Sequence, residues 1–432
     1  MKKGARFIKA AGCVLLWLSL AGCAYSDILN EIPRDFAYSA QASQSSPQQL
    51  SQSTAQVLPE QLYQSPAQDS TDLWEQGRAI EEDSFLEETA GDFACRVLNE
   101  AEAVWYHDME RILGSFGEKV RLSEESLQAG LAEDDIDRIF QCVLNDHPEL
   151  FYVEGYSYVK YSRGDKLRAI EFSGTYSVDR ETAVLRRQEI EDAAEKILAE
   201  ISADASDYDK VKYVYETLIT ETDYELQSPD NQNIYSVLVN HRSVCQGYAK
   251  TTQYLLNRLG VECTLVLGTV ENGEGHAWNL VKIDDSYYYV DTTWGDASYQ
   301  LGETNTASDF AMPAINYDYL NITTQELLRT HTIGGDVPMP VCTDNEANYY
   351  VREGAWFDSC DSERIRQLFD RAAACSRTDV TVKCADAACY EEMAELLIDR
   401  QKIFDFWKAA GRHIAYAQNE NQLSMTFWMT ND

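Results

Sequence analysis

The chain has 432 residues, a formal charge of −36 and a pI near 4.4. A chain this acidic excludes nucleic acid as a natural partner and disfavours anionic membrane surfaces, while suiting solubility outside the cell. No D-x-D-x-D-G loop argues for a calcium site.

In chain order, the first signal is a basic start at Lys2, Lys3, Arg6 and Lys9, followed by an apolar stretch from Ala10 to Leu20. That stretch is too short for a stable membrane span and reads as a leader. Leu20-Ala21-Gly22-Cys23 follows at once and is similar to a bacterial lipobox, which implies cleavage before Cys23 and lipidation of its thiol. Loss of residues 1–22 removes four cations and takes the formal charge to about −40. Residues 23–75 read as a flexible tether, because Ser, Gln, Ala and Pro dominate from Tyr38 to Asp72 and bury too little apolar area to fold. Residues 76–205 read as an N-terminal α+β region. Helical patterns at 88–113 and 132–146 precede a hairpin of 151–162 with 166–177, and a long charged helix covers 180–204. Arg163-Gly164-Asp165 is the turn of that hairpin rather than an adhesion signal.

Residues 206–340 form the expected core. After Val244, apolar positions 248, 252, 255, 256 and 259 recur at helical spacing and Gly260 ends the run, so Cys245 begins a helix. Unpaired amides and the positive end of the helix dipole favour a thiolate there and offer donors to an oxyanion. Val261–Val270 is a β-branched run with the hairpin signal Asn272-Gly273 behind it, and 276–283 alternates between two faces. Asp284-Asp285 turns the chain into 286–291. Pairing across that turn brings His276 and Asp291 to the same end of the hairpin. A thiol, an imidazole and a carboxylate in this order form a nucleophile, a base and its orienter. Gln246, Trp278 and Trp294 flank them as wall or oxyanion candidates. Gln246 is read mainly as helix N-terminal polarity and Trp294 as packing. His107, His241, His331 and His413 show no spacing that would join them to a catalytic or metal set, and no metal or other cofactor is expected.

VCQGYAK, GHAWNLV and VDTTWGD resemble the motif block of the transglutaminase-like superfamily, whose fold is related to papain-type cysteine proteases. The resemblance reaches from about 206 to 340, and bacterial surface lipoproteins carry such a domain. It implies an α+β fold with a helix-borne cysteine packed on an antiparallel sheet. It also implies Cys245 as nucleophile, His276 as general base and Asp291 as orienting carboxylate in acyl transfer through a thioester. A protein or peptide amide, cell-wall peptide included, would be the substrate. The acceptor, amine or water, stays open, as does a scaffold lipoprotein without turnover. The expected location is the cell membrane, lipid-anchored and facing outward.

Residues 341–432 read as a small C-terminal α+β domain. Strands are expected at 349–352, 378–384, 413–417 and 423–429, with helices near 361–375 and 389–409. The aromatics in FDFW and TFWM are read as its core. Cysteines 95, 142, 263, 342, 360, 375, 384 and 389 allow many pairings, and buried free thiols are the expectation.

Overall fold

The computed structural model describes residues 92–163, 166–297, 313–407 and 413–430, and before residue 92 only the extended backbone of Phe7–Ala10, Cys13–Ser19 and Gln56–Val57. Cys23, most of the tether and the Gly164-Asp165 turn lie outside the described residues. Among the described residues no helix is long and apolar enough to cross a membrane.

Helix α1 (Glu100–Gly114) starts where Asn99 accepts from the amides of Ala101 and Glu102 while Glu102 returns a bond to the Asn99 amide. This capping box sets the helix start twelve residues beyond the expected one. Helix α2 (Ile136–Asp146) follows a single 3-10 turn at Glu133–Asp135. The expected hairpin is present as β1 (Val153–Arg163) and β2 (Lys166–Tyr176), paired antiparallel. Helix α3 (Arg180–Leu198) is capped by Asp179 and stops short of 204, and helix α4 (Asp207–Glu221) is capped by Ser206.

The core is helix α5 (Cys245–Arg258) against four antiparallel strands. These are β3 (Cys263–Val270), β4 (Gly275–Ile283), β5 (Ser286–Val290) and β6 (His331–Ile333), in the order β5-β4-β3-β6. Alternation along β4 divides it as the sequence predicts. Ala277 packs with Leu265, Ala249 and Cys245 on the helix side, while Trp278 and Leu280 join Val266 and Tyr289 on the other. Small side chains at the helix–sheet contact let the two backbones approach. There Asn279 Nδ2 donates to the Ala249 carbonyl at 2.9 Å, and this bond fixes the helix along the strand.

The N-terminal region is tied to the core through Asn145 on α2. It donates to the Leu265 carbonyl, accepts from the Thr264 hydroxyl, and its own carbonyl accepts from Gln253 of α5. These contacts are buried and join elements more than one hundred residues apart in sequence, so they carry specificity as well as energy.

The C-terminal sheet contains β7 (Asp379–Cys384), β8 (His413–Asn419) and β9 (Ser424–Thr430), with β9 between the other two, flanked by helices α7 (Ser362–Ala374) and α8 (Ala387–Ala394). Phe406, Trp407, Phe427 and Trp428 are buried, as expected of core aromatics. Two expectations fail here. Tyr349–Arg352 is a helical turn, because the Asn348 side chain accepts from the Tyr350 amide and nucleates it. The strand role passes to Trp356–Phe357, parallel to β7. The helix expected over 389–409 breaks at Gln401, whose φ of 57° is left-handed, and resumes at Ile403–Phe406. The nine cysteines from Cys95 to Cys389 are free thiols.

The start of α5 depends on a close contact. Ser243 Oγ and Ser236 Oγ lie 2.7 Å apart, and Ser243 also donates to the Asn231 carbonyl. A Cβ on Gly247 would stand 1.9 Å from Ser243 Oγ. Gly247→Ala is expected to destabilise the protein by about 1–3 kcal/mol. Its urea midpoint should fall, and alkylation of Cys245 should slow with it, because the displaced turn is the one that carries the thiol.

Candidate active site

Each member of the site is held by a different local device. Val244 is extended, makes no side-chain cap, and its carbonyl takes the amides of Gly247 and Tyr248, so α5 begins at Cys245. Cys245 and Gln246 occupy the first turn and are both part-exposed. The thiol is reachable, and the open helix start points its dipole at whatever binds there. Among the described residues, no hydrogen bond or ion pair of the Gln246 side chain ties it to another element.

His276 is the second residue of β4 and is buried. Asp291 ends β5 and serves as N-cap of the short helix α6 (Thr292–Gly295), its Oδ1 accepting from the Trp294 amide at 3.0 Å. The hairpin register sets Asn279 against Val290, so Asp291 falls opposite Trp278, two residues along from His276 on the same face. The offset is what a carboxylate needs to reach the imidazole edge. His276 Nε2 donates to Asp291 Oδ2 at 2.7 Å. With Nε2 engaged, Nδ1 is the nitrogen left for the Cys245 thiol, which is near enough to the ring to help raise its pKa.

The structure adds a residue that the sequence reading set aside. His331 Nε2 donates to the same Asp291 Oδ2 at 3.0 Å, and His331 Nδ1 accepts from the Thr330 hydroxyl at 2.8 Å. The expectation that His331 has no partner in this group is therefore corrected: it shares Asp291 with His276. It reaches Asp291 because β6 pairs with β3 at the sheet edge, matching Thr332 with Thr269. Gly268 permits the approach. A Cβ there would stand 2.1 Å from the Thr332 carbonyl oxygen and 2.5 Å from the Trp278 ring. The one sequence signal was a β-branched pair around His331 followed by Gly334-Gly335, which marks a short strand and carries no chemistry.

Trp278 and Trp294 form the walls. The Trp278 ring lies beneath His276 at 5.9 Å and 24°, and edge-on to His331 at 5.0 Å. Trp294 packs on His331 at 4.7 Å and leans on Tyr319 at 5.1 Å. Trp278 is fully buried and shapes the floor beneath His276, whereas Trp294 is part-exposed.

Burial disfavours the His276 imidazolium, but the Asp291 carboxylate and the Cys245 thiol outweigh it and lift the pKa to about 10. Burial would raise Asp291, yet the two imidazoles hold it far below the usual carboxylate range. Burial lowers His331, with Asp291 opposing and His276 reinforcing, so at neutral pH it is a neutral donor to Asp291. His276, Asp291 and His331 offer ligand atoms within 4.8 Å of one another. Both short contacts in that group are already hydrogen bonds, which account for the clustering. A cavity of about 190 Å³ lined by Tyr317, Tyr349, Arg371 and Arg377 shares no residue with this site.

Residues 194–292 match the family model of the transglutaminase-like superfamily, and the match spans Cys245, His276 and Asp291. This segment belongs to that superfamily, and the mixed helix and strand architecture is that of its α+β, papain-related core. No curated protein matches the chain. Among solved structures, the chain is similar to a TGase at 16% identity, covering 36% of this chain and 53% of that one, with a TM-score of 0.24. It is similar to a candidate cysteine protease from Cytophaga hutchinsonii at 12% identity, covering 32% and 61%, with a TM-score of 0.22. A candidate protease from Parabacteroides distasonis gives 11%, with 31% and 39% covered and a TM-score of 0.19. The chain thus spans less than two thirds of each, and likenesses of this size carry no argument about activity.

The raised pKa of His276 links the site to stability. Relative to an unfolded value near 6.5, its contribution is complete below that pH and is lost as pH rises through about 10. Wild-type melting temperature is expected to fall between pH 7 and pH 10 more steeply than that of His276→Gln. Parallel curves for the two proteins would show that the ion pair is not formed.

Proposed function

We propose that this protein is a lipid-anchored, extracytoplasmic cysteine enzyme that performs acyl transfer or hydrolysis at protein or peptide amide bonds. The observation that carries the reading is the buried His276–Asp291 pair beside a part-exposed thiol at an open helix start. With His276 held as an imidazolium, the Cys245 sulfur beside it is the nucleophile that attacks a carboxamide carbon. Charge that develops on the carbonyl oxygen faces the first amides of α5. The imidazolium then gives its proton to the departing amine, leaving a thioester on Cys245. In the second half, neutral His276 takes a proton from water or from an acceptor amine as either attacks the thioester. Asp291 stays ionised throughout and keeps Nδ1 aimed at sulfur. His331 acts as a positioning residue, because its donor fixes the carboxylate that fixes the base.

The lipidated anchor rests on Leu20-Ala21-Gly22-Cys23 behind a basic, apolar leader. The acidic mature chain suits an outward-facing target.

Mass spectrometry of the protein incubated with glutamine peptides or cell-wall peptide fragments tests the reading directly. An acyl adduct on Cys245 is expected, and its decay with and without added amine separates transfer from hydrolysis. Cys245→Ala should abolish the adduct and lower turnover by at least about 10⁴-fold. Turnover unaffected by that change would end the enzymatic reading. The alkaline limb of kcat/KM should lie near pH 10, where His276 loses its proton. His331→Phe keeps a ring against Trp278 and Trp294 but removes the donor to Asp291. It is expected to lower kcat by roughly 10- to 100-fold at similar KM, and to move that limb upward, since Asp291 would then concentrate its charge on His276. An unchanged limb would reduce His331 to packing.

A further inference from the structure

A second buried ionic cluster lies where the C-terminal sheet meets the segment after the core hairpin. Lys383 of β7 is 0% exposed and faces two carboxyls, Asp318 Oδ1 at 3.7 Å and Glu326 Oε1 at 3.5 Å, themselves 4% and 3% exposed. The Lys383 ammonium also donates to Gln422 Oε1 at a long 3.4 Å and stands over the Tyr350 ring at 5.8 Å. The Tyr350 hydroxyl faces Asp318 as well. Both carboxyls are polarised unevenly. Asp318 Oδ2 accepts from Asn419 Nδ2 at 2.9 Å and from Ser424 Oγ at 2.7 Å, whereas Oδ1 meets no hydrogen-bond donor at bonding distance among the described residues. Glu326 Oε2 is held by the amide and hydroxyl of Thr323, whereas Oε1 also has none.

One cation against two carboxylates, all buried, is an expensive state, because an ion pair this deep regains its desolvation cost only with close geometry and full hydrogen bonding. Neither holds here: the ionic contacts are long and two oxygens are orphaned. The same arrangement is close to what amide formation requires. We propose that Lys383 and Asp318 condense into an intramolecular isopeptide bond, with Glu326 as the proton carrier. Lys383 Nζ attacks Asp318 Cγ. Asn419 and Ser424 hold Oδ2 as the carbonyl oxygen, and the unpartnered Oδ1 departs. Two protons pass from nitrogen to that oxygen through Glu326 Oε1, the first freeing the nitrogen lone pair for attack and the second as Oδ1 departs, so the Nζ–Cγ bond forms, the Cγ–Oδ1 bond breaks and one water leaves. Nothing is oxidised or reduced. The charges of Lys383 and Asp318 are both consumed, leaving a single carboxylate beside a neutral amide. A cavity of about 20 Å³ lined by Asp318, Asn419 and Ser424 has room for one water. Holding the reacting groups in contact supplies the effective concentration that free side chains lack. The step needs nothing from Cys245, and it would fasten β7 covalently to the chain that follows the core hairpin.

The test is intact-mass measurement of the purified full chain, with Glu326→Gln beside it, followed by tryptic mapping after denaturation. The wild-type protein is expected to be lighter by one water than the variant once the substitution itself is allowed for; any leader cleavage or lipid is common to both. Trypsin should fail to cut after Lys383, and a branched peptide joining the Lys383 and Asp318 segments should appear. Glu326→Gln is expected to lose the branched peptide and regain cleavage. Wild-type protein that is cut after Lys383 and yields the Asp318 peptide at its unlinked mass would overturn the proposal, whatever the variant does.

Discussion

The core is arranged around one buried charge, the carboxylate of Asp291. A carboxylate removed from water costs several kcal/mol unless its lone pairs are met by donors, and Asp291 is met by three: His276, His331 and the Trp294 amide. Each donor imposes a structural demand. The His276 bond requires the β4–β5 register that sets Asp291 opposite Trp278. The Trp294 bond requires β5 to end in a helical turn rather than run on. The His331 bond requires a fourth strand, closed onto β3 across the bare face of Gly268. Removing any one donor leaves a buried charge short of partners, so this site and the sheet edge stand or fall together.

The thiol side of the site is held by a separate mechanism. Cys245 is placed by the helix that bears it, and that helix is located by polar contacts inside an apolar interface: Asn279 to the Ala249 carbonyl, Thr252 to Thr292, and Gln253 to the Asn145 carbonyl. Buried hydrogen bonds of this kind contribute modestly to net stability but strongly to register, since a slip would orphan every partner at once. The helix cannot slide along the sheet, and the distance between sulfur and imidazole is set by the fold rather than by side-chain freedom.

Legibility in the sequence followed the range of the interaction. Cys245, His276 and Asp291 each sit beside a local signal: a helix start, an alternating strand, and a strand end followed by the Asp-Thr-Thr-Trp turn. Their elements were readable within a residue or two. The hairpin of β1 and β2 was equally plain. His331 was not, because its partner lies 40 residues upstream and nothing around it repeats. Its role depends on a strand pairing that Gly268 makes possible, and a glycine in a strand reads only as an interruption. Tyr349–Arg352 misled for the opposite reason. Its aromatic and β-branched residues suit a strand, but the capping side chain of Asn348 decides the backbone before packing does.

The two buried carboxylate clusters show how differently the same problem is resolved. At Asp291 the donors are imidazoles, which change protonation state without leaving their places; the charge is kept and made useful. Its contacts are 2.7 and 3.0 Å, and neither oxygen is orphaned. At Asp318 and Glu326 the single cation is more than 3.4 Å from both, and each carboxyl has one oxygen without a partner. A site that keeps its charges would be expected to contract around them, since Coulombic gain in a dry interior grows steeply as separation falls. The longer spacing leaves the Lys383 ammonium without a short, directed bond to either carboxyl. Asn419 and Ser424 both donate to Oδ2 of Asp318, so its two oxygens have different surroundings, and it is Oδ1 that faces Lys383.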